Sequence, residues 1–150
     1  MSLKDKINQD IKSAMKEKDS IKLESLRAIK SAIILFETKD SSSSELVKSD
    51  EIKILQRLVK QRKESAQIFE SQKRNDLAET EIIQSEFISK YLPKQMNVKE
   101  IEDIVLKIIE QTNSNGMKDM GKVMGMASKE LLGKADGKTI SEIIRKNLSN

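Results

Sequence analysis

Apolar residues recur at helical spacing along almost the whole chain, and this periodicity is the feature that most limits its fold. In the first segment, Leu3, Ile7, Ile11 and Ala14 fall on one face of a helix, and charged residues occupy the other face. No segment shows the apolar–polar alternation that is typical of a half-buried strand. The sequence therefore predicts an all-α fold.

The same spacing predicts four helices before Pro93, the single proline of the chain. They run from Ser2 to Lys16, Asp19 to Thr38, Asp50 to Lys73 and Asn75 to Leu92. The second helix has the widest apolar surface, which includes Ile34 and Phe36, so we expect it to be central. Ser41 to Ser44 separate the second helix from the third, and serine favours a connection because its hydroxyl competes for backbone hydrogen bonds.

Pro93 predicts a boundary between two domains, because proline disfavours helical geometry at the preceding residue. We predict an N-terminal helical domain of about four helices over residues 1–93. A smaller C-terminal domain of about three helices is predicted over residues 94–150. Asn97 with Glu100, and Thr139 with Glu142, have the spacing of capping boxes, which predicts helix starts at Asn97 and Thr139.

The composition excludes several classes of protein. No apolar run reaches the roughly 20 residues that cross a bilayer, and the amino terminus lacks a secretory pattern, so we expect a cytoplasmic protein without membrane spans. Cysteine, histidine and tryptophan are absent, which removes the usual zinc ligands and the commonest general base. No catalytic residue, metal site or cofactor is predicted. The net charge of +4 comes from 28 basic and 24 acidic residues, a mild excess that permits nucleic-acid binding without requiring it.

All five glycines lie between Gly116 and Gly137, which suggests either a phosphate-binding loop or tightly packed short helices. A Walker A loop ending in Gly137, Lys138 and Thr139 needs a glycine where the chain has Leu132, and no strand precedes it. A nucleoside-triphosphate site is therefore rejected. Gly121 and Gly125 share one helix face, and we expect another helix to pack closely against them, with the nearby methionines in the core.

Lysines surround the same segment. Lys134 and Lys138 lie beside the start of the last predicted helix, where amide groups and the helix dipole attract anions. Lys118, Lys122 and Lys129 extend this basic surface. Spacing alone leaves two interpretations open, a phosphate-binding surface and an ordinary solvated one.

Arg62 falls within the apolar arc of the third helix. It can lay its stem along the edge of the core, or it can hold a carboxylate or a ligand anion. We favour the structural interpretation.

Four stretches in order resemble the GatB/YqeY family and span essentially the whole chain. They are LRAIKSAI from Leu26, VKQRKES from Val59, YLPKQM from Tyr91, and MGKVMG with GKADGK from Met120. The resemblance is to free-standing YqeY-like proteins. Their C-terminal part is similar to the tail of the GatB subunit of the glutamine-dependent aspartyl/glutamyl-tRNA amidotransferase.

The resemblance implies a connection with tRNA, because the amidotransferase tail helps to hold tRNA while the chemistry occurs elsewhere. The amidase and kinase sites of that enzyme have no counterpart here, so the family label of carbon–nitrogen ligase with glutamine as amide donor would be inherited without the activity. The positions carried over in the C-terminal part are Lys118, Gly121, Lys122, Gly125, Lys134, Asp136, Gly137 and Lys138. Asp136 has a simpler interpretation as a turn residue that accepts backbone hydrogen bonds. Basic positions that match in the N-terminal part are Arg27, Lys30, Lys60 and Arg62.

Three functions remain open from the sequence. The first is a non-catalytic tRNA- or RNA-binding accessory module, which would read backbone shape because Phe36, Phe69, Phe87 and Tyr91 are all expected in the core. The second is an adaptor that docks on an amidotransferase or a tRNA synthetase. The third, a stand-alone ligase, lacks a plausible nucleophile–base pair. The oligomeric state is left open.

Overall fold

The computed structural model describes residues 2–39 and 46–149, and within them it contains seven α-helices, one short 3-10 turn and no strand. The all-α prediction is confirmed. The helices are α1 (Leu3–Glu17), α2 (Ser20–Lys39), α3 (Lys48–Ser71), α4 (Asn75–Ser89), α5 (Val98–Thr112), α6 (Met120–Glu130) and α7 (Gly137–Leu148), and the 3-10 turn is Met117–Asp119. The predicted connection at Ser41 to Ser44 lies outside the described residues.

Contacts divide the chain into two compact units, Met1–Leu92 and Pro93–Asn150. The first contains α1 to α4, and the second contains α5 to α7 with the 3-10 turn. Each unit has its own cluster of buried apolar side chains.

The second helix is central to the first unit, as the width of its apolar surface predicts. Helix α2 packs against α1, α3 and α4 and buries Leu26, Ile29 and Ile33. The prediction is wrong for the end of this helix, because Phe36 is 37% exposed and Ile34 is also exposed.

The second unit is built on the amphipathic α5. Asn97 caps this helix through its side chain, which accepts a hydrogen bond from the backbone N–H of Glu100, while the Glu100 carboxylate accepts one from the backbone N–H of Asn97. The predicted capping box is thus confirmed, and the helix ends at Asn113 in the left-handed conformation. The buried side chains of the unit are Ile101, Val105, Ile108, Val123, Ala127, Leu131, Ala135, Ile140, Ile143, Ile144 and Leu148.

The last helix begins earlier than its sequence pattern predicts. Helix α7 starts at Gly137 with Asp136 as its N-cap residue, so the capping box predicted at Thr139 and Glu142 is wrong. The Asp136 side chain forms no capping hydrogen bond, which also corrects its expected role as an acceptor in a turn. Two hydrogen bonds hold the segment before this helix: the Met96 N–H donates to the Lys134 carbonyl, and the Gln95 side chain donates to the Gly133 carbonyl.

Candidate nucleic-acid interface

Helix α6 presents an exposed face that carries lysine and glycine together. Lys122 and Lys129 are seven residues apart, so they lie two turns apart on the same side of the helix. Gly121 and Gly125 border them, and both glycines are exposed. The opposite side of α6 is buried through Val123 and Ala127, so the side with the lysines and glycines points to solvent. We call this exposed side, which carries Gly121, Lys122, Gly125 and Lys129, the α6 face.

The two glycines do not serve the close packing that the sequence suggests. A Cβ atom added at Gly121 or at Gly125 would meet no heavy atom within 4 Å. No neighbouring helix therefore requires glycine at these positions, and the packing prediction is wrong. Their absent side chains instead leave the α6 backbone open to a molecule that approaches from outside.

Lys118 lies in the 3-10 turn directly before α6 and is exposed. The turn begins at Gly116, whose positive φ of 78° suits glycine. The Asp119 carboxylate accepts a hydrogen bond of 2.8 Å from the Asn115 N–H, so this acid is engaged within the turn. The turn packs on both α6 and α7, which holds Lys118 next to the start of the α6 face.

Lys134 and Lys138 flank the amino terminus of α7. Lys134 is half-buried, and its carbonyl accepts from the Met96 N–H at 2.9 Å. Lys138 is exposed in the first turn of α7. Asp136 is exposed at the cap position, and its negative charge opposes the attraction of this helix end for an anion. The α6 face is therefore the stronger candidate for contact with phosphate.

The lysines of this segment have no acidic partner in the described part of the chain. Lys118, Lys122, Lys134 and Lys138 appear in none of its ion pairs, which involve Lys4, Lys22, Arg74 and Lys146. Glu130 is the only acid among the exposed residues of α6, and it lies at the last residue of the helix. Their charges thus remain available to an anion from solution.

The four basic residues singled out in the first unit have different surroundings. Arg27 and Lys60 are exposed, and Lys30 is half-buried. Arg62 is half-buried, and its Nε donates to Gln84 Oε1 at 3.2 Å while an Nη donates to the Leu58 carbonyl at 3.3 Å. These bonds give Arg62 a structural role towards α4 and leave its other guanidinium N–H groups unused.

An aromatic group in the first unit was not identified from the sequence. Phe87 and Tyr91 are both half-buried and meet edge to face with ring centroids 5.8 Å apart. Lys22 and Lys90 place their ammonium groups 5.9 Å and 5.8 Å from the Phe87 centroid. Spacing within one helix could reveal the aromatic pair, but Lys22 comes from another helix and leaves no local signal.

Tyr91 also joins α1 to the end of the first unit. Its hydroxyl donates to Asp10 Oδ2 at 2.5 Å, and Lys6 lies over its ring at 5.4 Å. Burial and the hydrogen bond to the Asp10 carboxylate raise the pKa of the Tyr91 phenol well above its usual value of 10.0. This phenol therefore stays neutral and acts as a hydrogen-bond donor.

Comparison with known proteins identifies the family. The sequence matches the family described as YqeY-like protein over residues 4–148. The chain belongs to the YqeY-like family. This confirms the resemblance seen in the four sequence stretches.

Relatives of this YqeY-like chain fall into two groups. "Altered inheritance of mitochondria protein 41, mitochondrial" of Clavispora lusitaniae is 34% identical over 122 residues, which cover 81% of this chain and 69% of the relative. The protein of the same name from Meyerozyma guilliermondii is 29% identical over 142 residues, 93% of this chain and 72% of the relative. A glutamyl-tRNA(Gln) amidotransferase subunit of Methanococcus maripaludis is 48% identical over 48 residues, 32% of this chain but 8% of the relative.

The similarity to the amidotransferase is therefore partial, and most of its matched subunit has no counterpart in this YqeY-like chain. Across residues 2–39 and 46–149, no helix has the length and apolar character needed to cross a membrane.

Proposed function

We propose that this YqeY-like chain is a non-catalytic accessory module that binds RNA, with tRNA as the first candidate, through the exposed face of α6. The observation that carries the proposal is the combination of Lys122 and Lys129 with the open backbone at Gly121 and Gly125. Lysines without acidic partners supply charge for phosphates, and glycines let a sugar–phosphate chain approach the helix backbone.

One of the relatives also supports a connection with tRNA. A protein named as a glutamyl-tRNA(Gln) amidotransferase component shares a segment of 48 residues with this chain at 48% identity. That segment is too small a part of the relative to bring the enzyme's activity with it, so the proposal includes neither carbon–nitrogen ligase activity nor a cofactor. A cytoplasmic location belongs to the proposal as well, while the yeast relatives bear the word mitochondrial in their names.

Binding through lysine and phosphate predicts recognition of backbone shape with a strong dependence on salt, because each neutralised phosphate releases counterions. The test is fluorescence anisotropy of labelled tRNA at two or more salt concentrations. Replacement of Lys122 and Lys129 by Gln should weaken binding and lower the slope of log affinity against log salt by about 0.7 to 0.9 for each lost contact.

The matched control replaces Lys12 and Lys16 by Gln. These exposed lysines lie on α1 in the first unit, so the control loses the same total charge from a different surface. Equal effects of the two double variants would show that only net charge matters and would overturn the α6 face as the binding site. No binding of tRNA at low salt would overturn the function itself.

A second candidate function is an adaptor that docks on an amidotransferase or a tRNA synthetase. Two exposed methionines favour it, since Met117 is 45% exposed and Met126 is 43% exposed, and methionine suits adaptable protein contacts. Replacement of Met126 by Gln should then reduce recovery of a protein partner from the native host after nuclease treatment. Loss of the partner on nuclease treatment alone would instead favour RNA as the direct ligand.

A further inference from the structure

A cleft in the first unit has no part in the proposed RNA function. It has a volume of about 530 Å³ and is lined by residues of α2, α3 and α4. Clefts of this size hold small molecules. Its lining combines hydrogen-bond donors and carboxylates, so the first question is which of them already have partners within the protein.

Gln84 is the most buried of the lining residues, at 5% exposed. Its side-chain oxygen accepts from Arg62 Nε at 3.2 Å, but its amide nitrogen forms no hydrogen bond to a described residue. Every fully buried side-chain nitrogen and oxygen in the described ranges does have a partner. The Gln84 amide nitrogen is therefore not fully buried, and Gln84 is one of the residues that line the cleft.

Arg62 supplies a second donor. It uses Nε for Gln84 and one terminal nitrogen for the Leu58 carbonyl, and it forms no ion pair with any acid in residues 2–39 and 46–149. Its remaining guanidinium N–H groups are unused beside the Gln84 amide. A guanidinium with free N–H groups next to an amide N–H is suited to a carboxylate, which accepts several hydrogen bonds at once.

Carboxylates line the rest of the cleft. Glu24, Glu64 and Glu81 come from α2, α3 and α4 respectively. None of the three forms a hydrogen bond or an ion pair with another described side chain. Three carboxylates against the single guanidinium of Arg62 give the cleft a net negative charge, so it favours a ligand with more positive than negative groups.

We propose that this cleft binds a free basic α-amino acid, with L-lysine as the representative ligand. The ligand carboxylate binds Arg62 and the Gln84 amide, and its ammonium groups bind the glutamates. A purely cationic ligand would leave the donors of Arg62 and Gln84 unused, and an acidic amino acid would meet the net negative charge. This site is independent of the α6 face, and its test does not depend on RNA binding.

The first experiment is a titration of the full chain followed by NMR, in which the side-chain amide signal of Gln84 reports directly on the site. L-lysine is compared with cadaverine, which lacks the carboxylate, and with 6-aminohexanoate, which lacks the α-ammonium group. We expect L-lysine to bind most tightly. Only the two ligands that carry a carboxylate should shift the Gln84 amide signal.

Substitutions separate ligand binding from a structural role of Arg62. Arg62→Lys keeps the positive charge but loses the planar fork, so it should weaken L-lysine binding about tenfold while it leaves cadaverine binding unchanged. Glu81→Gln should weaken both ligands. Glu70→Gln, which removes an exposed acid of α3 outside the cleft, should weaken neither.

Three results would overturn the proposal. They are failure of L-lysine to bind in the millimolar range, equal affinities for L-lysine and cadaverine, and an unchanged preference for L-lysine over cadaverine in Arg62→Lys. The third test remains valid even if Arg62→Lys is less stable, because the ratio of its affinities for L-lysine and cadaverine is measured on the same folded fraction.

Discussion

Glycine at positions 121 and 125 lowers the stability of α6, and no close packing within the unit compensates for this loss. Glycine costs about 1 kcal/mol relative to alanine in a helix interior, and space for a Cβ atom is open at both positions. A residue that lowers stability and touches nothing is expected where another molecule comes close. At these two positions, a substitution should therefore change stability and binding in opposite directions.

We predict that Gly121→Ala and Gly125→Ala each raise the free energy of unfolding by about 0.5 to 1 kcal/mol, as measured by urea denaturation. The same variants should weaken tRNA binding in the anisotropy assay, because the new methyl groups hold the phosphate chain away from the helix. Ser13→Ala is the control, since it places an alanine at an exposed helical position of α1 in the first unit. A variant at Gly121 or Gly125 that is stabilised and binds tRNA as before would remove the glycines from the interface.

Tyr91 predicts a stability change at alkaline pH. Its pKa is raised in the folded chain, first by burial and then by the Asp10 carboxylate, so the folded state holds the phenolic proton more tightly than the unfolded state does. The contribution is complete below the unfolded pKa of about 10 and is lost as the pH rises through the folded pKa. Between about pH 9 and pH 11, the wild type should lose more stability in urea denaturation than Tyr91→Phe does.

Tyr91→Phe removes only the phenolic hydroxyl, so the difference between the two curves isolates the contribution of the phenol. Asp10→Asn is a second comparison, because it keeps a hydrogen-bond acceptor and removes the charge. Parallel curves for the wild type and Tyr91→Phe would contradict the role assigned to this hydrogen bond.

At the scale of elements, α5 and α7 begin in different ways, and their caps can be compared directly. Asn97 makes a reciprocal capping box at α5, whereas Thr139 lies inside α7, two residues after its start at Gly137. Asn97→Ala should lower the free energy of unfolding by about 1 kcal/mol, and Thr139→Ala should change it by less than about 0.5 kcal/mol. If Thr139→Ala lowered the free energy of unfolding as much as Asn97→Ala does, Thr139 would be the N-cap residue of α7 and the start at Gly137 would be contradicted.

These two helices also show what the sequence could and could not predict. The α5 cap depends on Asn97 and Glu100, which are three residues apart, so local spacing predicts it. The segment before α7 is held by hydrogen bonds from Gln95 and Met96 to the carbonyls of Gly133 and Lys134. Those partners are 38 residues apart, and no local pattern contains them.

In the candidate sites, too, features encoded locally could be predicted from the sequence, and features that depend on contacts between distant residues could not. Lys122 can be selected from the sequence and from the family resemblance, and Lys129 from the sequence alone, because the residue type itself gives the charge. The openness of the two glycines could not be predicted, since it depends on which neighbours pack against α6. Likewise, Arg62 stood out within an apolar arc, but its bond to Gln84 joins α3 to α4 over 22 residues.

In the whole molecule, residues 2–39 and 46–149 form two buried clusters, one in each unit. We predict that Ile29→Ala and Ile144→Ala each cost about 2 to 5 kcal/mol in the unit that contains the residue, because both side chains are fully buried. Native-state hydrogen exchange should show faster exchange in α1 to α4 for Ile29→Ala and in α5 to α7 for Ile144→Ala. Equal acceleration in both units by either variant would show that they unfold as one cooperative body.

A unit with its own buried cluster, as each of the two units here has, can be transferred between proteins during evolution. Recombination can join it to an unrelated chain without a new core, because only its surface has to adapt to the new neighbour. A stretch of 48 residues of this chain is similar to part of a much longer amidotransferase component. In such a transfer, the exposed lysines and glycines of α6 can adapt to a new neighbour, while Val123 and Ala127 on its buried side are constrained by the core.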